Sequence, residues 1–150
     1  MTDIEDLARR TIDCGFHIHR KLGPGLLESV YEAVLEASLE RDGLRVERQR
    51  PIAIQFDGLS IADGFRADLV IENRLVVEVK SVERTAAIHA KQLLTYIRLM
   101  EQPLGLLMNF GRETFREGLK RVVNGPSAFV PPIRPLGWPL FVPSCLRAFV

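Results

Sequence analysis

Residues 65–80, FRADLVIENRLVVEVK, read as two apolar strands joined by a short polar turn. Val, Leu and Ile at this density suit a strand covered on both faces, which places the segment near the middle of a sheet. Yet it carries Asp68, Glu78 and Lys80, and a buried charge is costly unless it is paired or coordinated. Loop length decides where the three point, because a one-residue slip in a hairpin turns every side chain to the other face. A two-residue loop at Asn73-Arg74 pairs Ile71 with Val76 and sets Asp68 opposite Val79, turned away from Glu78 and Lys80. A three-residue loop, Glu72-Asn73-Arg74, pairs Ile71 with Leu75 and sets Asp68 opposite Glu78. Asn73 suits the longer loop, since Asn tolerates the left-handed conformation such loops need.

In the second register Asp68, Glu78 and Lys80 share one face. Two carboxylates about 5 Å apart repel unless a cation lies between them or one is protonated. Hard oxygen ligands at that spacing suit Mg²⁺ or Mn²⁺. Lys80, on the same side, could hold a phosphate oxygen or orient an attacking water. An internal ion pair of Lys80 with either acid fits the same residues.

The rest of the chain changes period several times. From Ile4 to about Lys21, Leu7, Ala8, Ile12, Phe16 and Ile18 recur at helical spacing, with Thr2 or Asp3 as N-cap. GPGLL breaks that helix. A second runs from about Leu26 to Arg41 with Leu27, Val30, Tyr31, Val34, Ala37 and Ser38 on one face, ending at Gly43. Alternation from Val46 to Phe56 predicts a strand, with turns at Asp57-Gly58 and at Ala62-Asp63-Gly64. After the charged hairpin, residues 86–101 return to helical spacing before Pro103. LGLLMNF (104–110) has the length of a strand, and FREGLKRVV can supply one more. The order helix, helix, strand, strand, strand, helix, strand predicts an α/β sandwich on a mixed sheet. Its first strands form an antiparallel meander, and a helical crossover delivers the last strand parallel.

Residues 125–150 differ, with six of the nine prolines and no acidic residue among Phe, Leu, Val and Trp138. That composition excludes a long helix or a central strand. It is too apolar for a flexible linker, so packing over the domain, against a protein partner or in self-association is expected; an appendage without a role fits equally.

At 150 residues the chain is long enough for one domain with a real core. Twenty Lys and Arg against nineteen Asp and Glu give a net charge of +1. A nucleic-acid binder often shows a basic excess, so binding here would need a local basic surface beside the acidic site. Arg45, Arg48 and Arg50 on the first strand could supply one, or simply form a solvated face. Cys14 and Cys145 lack the spacing of a zinc site or a disulfide framework and read as free thiols. Cys14 and His17 share a side of their helix while His19 points elsewhere, which argues against zinc there. The polar start MTDIEDLARR and the absence of an apolar run of about 20 residues predict a cytoplasmic protein off the membrane.

ADLVIENRLVVEVK, with Asp68 followed after nine residues by Glu78-x-Lys80, resembles the core of the PD-(D/E)XK nuclease superfamily, Ala67 standing where the family name has Pro. GLLESVY (25–31) matches the signature of the GxxExxY protein family within it. HAKQLLTY (89–96) resembles the superfamily's Q-x-x-x-Y helix, and GLLMNFG (105–111) its closing strand. The resemblance spans roughly residues 5–124 and leaves out the proline-rich tail. It implies a restriction-endonuclease-like sandwich, a central mixed β-sheet flanked by helices, over residues 1–124, with 125–150 as a separate tail.

Its implications for the site follow residue by residue. Asp68 and Glu78 would be metal ligands, with the Val79 carbonyl as a third and Glu28 reaching the same Mg²⁺ or Mn²⁺. Lys80 and Gln92 would complete the catalytic set. Tyr31, His89, Tyr96 and Arg66 would meet the substrate, a nucleic acid, with DNA ahead of RNA. His89, Gln92 and Tyr96 fall at i, i+3 and i+7 and so share a helix face. The implied activity is metal-dependent phosphodiester hydrolysis. The alternative is a catalytically silent module of the same fold acting through a protein partner, since fold does not fix function.

Overall fold

The computed structural model describes residues 2–125. Residues 126–150, with most of the expected tail and Cys145, lie outside the described residues.

Helix α1 (Ile4–Leu22) starts at Asp3 and buries Leu7, Ala8, Thr11, Gly15, Ile18 and His19. It stops at Gly23, whose N–H donates to the His19 carbonyl. Helix α2 (Glu28–Arg41) follows, and its buried face is Tyr31, Glu32, Leu35 and Leu39. That face differs from the expected one. Leu27 is 73% and Val30 38% exposed, as is Phe16 of α1 at 53%. The apolar residues that count lie one above another at i, i+4 and i+8, a stripe only wide enough for Tyr31, Leu35 and Leu39. Complete burial of each such side chain stabilises by about 1.5–3 kcal/mol.

Strands β1 (Val46–Phe56), β2 (Leu59–Ile71) and β3 (Leu75–Lys80) form the antiparallel meander. Helix α3 (Ala87–Leu99) crosses to β4 (Leu104–Asn109), which pairs parallel with β3. A short turn of helix, α4 (Phe115–Gly118), leads to β5 (Leu119–Val123), antiparallel to β4. The sheet order is β1-β2-β3-β4-β5. One face packs on α1 and α2 through Leu69, Ile71, Val77, Val79, Leu106, Met108 and Phe110. The other packs on α3, where Leu93 and Ile97 cover Val70, Val76, Leu107 and Val122. Gly105 permits that close approach, since a Cβ there would meet Leu93 at 2.8 Å. Among the described residues no helix is long and apolar enough to cross a membrane.

The charged hairpin adopts the three-residue loop. Ile71 pairs with Leu75, Val70 with Val76 and Leu69 with Val77. Glu72 and Asn73 both take positive φ, 52° and 54°, and Arg74 N–H closes the turn on the Ile71 carbonyl at 3.0 Å.

The turn expected at Ala62-Asp63-Gly64 does not form. Strand β2 runs through it, and the register with β1 shifts between Ile52↔Phe65 and Ile54↔Ile61. The extra residues bulge instead, with Gly64 so close that a Cβ would meet Ile54 at 2.4 Å. Asp and Gly serve a bulge as readily as a turn.

The bulged hairpin has a consequence for the sheet's centre. Strand β2 pairs with β1 from Leu59 to Ile71 but with β3 only from Leu69 to Ile71. Meanwhile β3 stays on β4 as far as Lys80↔Asn109. Beyond Leu69 the sheet therefore forks, with β2 departing on one side and Glu78-Val79-Lys80 continuing on the other.

Candidate metal-binding active site at the strand fork

Asp68 sits at the root of the fork. Its Oδ2 accepts the Val79 N–H at 2.8 Å, replacing the strand partner that β3 loses there. The N–H and C=O of one strand residue face the same edge, so the Val79 carbonyl also faces the fork. Glu78 and Lys80 alternate with Val79 and point to the α3 side, as Val76 does. Lys80 Nζ donates to Glu78 Oε1 at 3.3 Å. Glu78 is 7% exposed, and its Oε2 is buried with no hydrogen-bond partner among the described residues.

Electrostatics follow from this crowding. Burial first, then the Asp68 carboxylate, push Glu78 up to about 8 against the pull of Lys80. Burial also raises Asp68, with Glu32 adding to it and the Val79 N–H, Lys80 and Gln49 opposing. Burial alone would lower Lys80, but Glu78, Glu28 and Asp68 together hold it above its ordinary value. The three acids thus favour the ammonium form of Lys80. Tyr96 is raised by burial, then by Glu78 and Asp68, which locates its hydroxyl within the field of the same cluster.

The donor chemistry fits a hard divalent cation. Two carboxylates and a backbone carbonyl offer only oxygen, and one buried carboxylate oxygen lacks a hydrogen-bond partner among the described residues. No three His, Cys, Asp or Glu side chains among the described residues group as a ready metal set. Glu28, expected as a ligand, has its Oε1 against the Ser81 N–H at 3.4 Å, one residue beyond Lys80, and its charge acts on Lys80. Mg²⁺ ordinarily takes one or two carboxylates and fills its shell with water and substrate phosphate, so two side chains suffice.

The motif from Gly25 to Tyr31 has a structural explanation. Gly25 holds φ 106°, a conformation that favours glycine. Tyr31, expected at the substrate, is wholly buried and stacks on Phe110 at 4.5 Å. Its hydroxyl donates to the Gly23 carbonyl at 2.5 Å and accepts the Leu26 N–H at 3.2 Å. Ser81 Oγ in turn donates to the Leu26 carbonyl at 2.6 Å. Together Tyr31, Glu28 and Ser81 fasten the α1–α2 loop onto the end of β3, beside Lys80. Tyr31 acts through that loop and has no surface to offer a ligand.

On α3 the expected face exists, with different occupations. Tyr96 is half-buried and stacks on Phe65 of β2, ring centroids 3.9 Å apart. Gln92 is exposed. His89 Nδ1 accepts the Ala86 N–H at 3.1 Å, capping the helix. Arg66 is exposed, with Nη1 donating to the Gln49 carbonyl at 3.4 Å.

The first-strand arginines do not form a free basic row. Arg48 pairs with Glu32 and Glu36 of α2, and Arg50 with Glu47 and Asn73. Only Arg45 is exposed. The Cys14, His17, His19 trio does not converge either, as His19 is buried against Phe110 and Phe115 with its Nε2 at the Arg112 carbonyl.

Two residues here escaped the sequence reading. Glu32 is 5% exposed, and Gln49 Nε2 donates both to Glu32 Oε2 at 2.9 Å and to Asp68 Oδ1 at 3.2 Å. A glutamate directly after Tyr31 on the buried stripe was the one available signal. Nothing in the sequence marks Gln49.

The chain matches, over residues 5–122, the family model described as the PD-(D/E)XK nuclease superfamily. The mixed five-stranded sheet flanked by helices is the restriction-endonuclease-like architecture of that superfamily. No curated protein matches the chain, and no solved structure does.

Proposed function

The chain belongs to the PD-(D/E)XK nuclease superfamily, and from that premise we propose that it is a metal-dependent nuclease of the GxxExxY family, its nuclease domain spanning residues 1–124. One observation supports the reading: Asp68 accepts the N–H of Val79, the residue next to Glu78, and a buried Glu78 oxygen has no hydrogen-bond partner among the described residues. Asp68, Glu78 and the Val79 carbonyl would hold Mg²⁺ or Mn²⁺, with Glu28 reaching the same ion from the Lys80 end of the site. Bound there, the ion would supply Lewis acidity and a water of lowered pKa.

The chain's own residues do the rest. Lys80, kept protonated by Glu78, Glu28 and Asp68, offers its charge to the phosphate as negative charge builds in the transition state. The Ser81–Leu26 and Ser81–Glu28 bonds hold the strand end that carries Lys80. Gln92 and Tyr96 on α3, with Arg66 at the fork's mouth, would contact a nucleic acid backbone, DNA being the first substrate to try. His89 lies on the same face, one turn before Gln92.

Labelled single- and double-stranded DNA and RNA, incubated with Mg²⁺ or Mn²⁺, test the proposal. Cleavage by the wild type should fall by at least about 100-fold in Asp68→Asn and in Lys80→Met. Cleavage unchanged in both variants would sink the mechanism.

A further inference from the structure

We propose that Gln49 is a positioning residue that sets the plane of the Asp68 carboxylate for the metal, with Glu32 as its anchor. The inference rests on the metal-site reading of Asp68 and Glu78 and adds a part of the site that this reading does not contain.

The first observation is backbone geometry. Successive strand residues point to opposite faces, yet Arg48 Nε and Gln49 Nε2 both donate to one atom, Glu32 Oε2, at 3.2 and 2.9 Å. Gln49 achieves this by a left-handed φ of 53° inside β1, where an extended conformation is the rule. The register is regular on either side, Arg48 against Leu69 and Arg50 against Ala67, so the departure is confined to the residue facing Asp68. A side-chain-bearing residue in that region is strained and persists only where its surroundings enforce it.

The second observation is donor chemistry. Both hydrogens of an amide NH₂ can donate, and Gln49 directs one to each of two carboxylates, Glu32 and Asp68. A glutamate in its place would set three acids together, and a hydroxyl has one hydrogen for two acceptors. Glu32 is itself buried and fixed by Arg48, so the amide hangs from a rigid point. Asp68 is then held through both oxygens, Oδ2 by the Val79 N–H and Oδ1 by Gln49. Its remaining lone pairs are aimed before any ligand arrives. Outer partners of this kind typically change metal affinity 10- to 100-fold when removed.

The test is calorimetric Mn²⁺ titration of the full chain beside thermal unfolding in EDTA, for wild type, Gln49→Gly and Asp68→Asn. Glycine adopts φ 53° freely, so Gln49→Gly removes the amide without asking the backbone to move. Gln49→Gly should bind Mn²⁺ about 10-fold more weakly, and the two lost hydrogen bonds should also lower its metal-free melting temperature by several degrees. A purely structural brace would give the lower melting temperature with unchanged affinity, and would overturn the inference. Unchanged Mn²⁺ affinity in Gln49→Gly beside lost affinity in Asp68→Asn overturns the positioning role alone. No Mn²⁺ binding by the wild type overturns the metal-site reading and the positioning role with it.

Discussion

Replacing Glu78 by glutamine isolates what the gathered charges cost the fold. Burial and then Asp68 push Glu78 up to about 8, against 4.5 as its ordinary value. Between those values the folded chain holds a proton that the unfolded chain has released. Metal-free stability therefore falls as pH rises through the window, and the loss is complete above about pH 8. The spread sets a ceiling of about 5 kcal/mol. For a chain of this length that corresponds to a melting temperature lower by at most about 10–20 °C, at about 2–4 °C per kcal/mol. Glutamine keeps the shape and drops the charge, and Lys80 keeps Glu28 and Asp68 as neighbours. In EDTA, Glu78→Gln should melt with the wild type near pH 5 and on the order of 10 °C above it at pH 8.5. Mn²⁺ should then raise the wild type above pH 8 and leave the variant nearly unmoved, because a ligand stabilises only the state that binds it. A difference between the two proteins that stays constant from pH 5 to 8.5 would refute the reasoning.

Two further substitutions probe the frame around the site. Tyr31→Phe keeps the stack on Phe110 but loses the bonds to Gly23 and Leu26; urea unfolding should register about 1–2 kcal/mol, with faster amide exchange at Leu26. Asn109 is fully buried and bonds Val82 N–H, Val82 C=O and Gly111 N–H, so Asn109→Ala should cost about 2–4 kcal/mol by the same measurement.

The pattern of what sequence reveals here has physical causes. Strand β1 was legible from Val46 to Phe56, because period-2 alternation and a following Asp-Gly are local signals. The hairpin register was legible as a choice between two parities, and the positive φ at Glu72 and Asn73 settles it. The bulge at Ala62–Gly64 was not, since turns and bulges draw on the same residues. Helix α2 misled because Leu27 and Val30 are as apolar as Leu35 and Leu39, and only the neighbouring sheet selects among them. Glu32 and Gln49 are the deepest omission. Their link to Asp68 needs an α2 side chain, a left-handed residue in β1 and the fork in β2 at once, and no single segment carries that information.

The fork also explains how a sheet centre tolerates these acids. Where β2 leaves β3, the Val79 N–H would be a buried donor without a strand partner, and an orphaned buried N–H costs about 1–3 kcal/mol. The Asp68 carboxylate fills that vacancy, so its burial is offset by a backbone group that needs it. One side chain thus closes the ladder and supplies a metal ligand. Removing it altogether, as in Asp68→Ala, would strip the Val79 N–H along with the site, and a loss of cleavage could then report a loosened strand. Asparagine keeps an oxygen for Val79 while removing the charge, and Lys80→Met breaks the bond to Glu78 but leaves the Val79–Asp68 bond that closes the ladder. An effect shared by those two variants therefore reads the chemistry of the site, because what they have in common is charge and not the closing of the sheet.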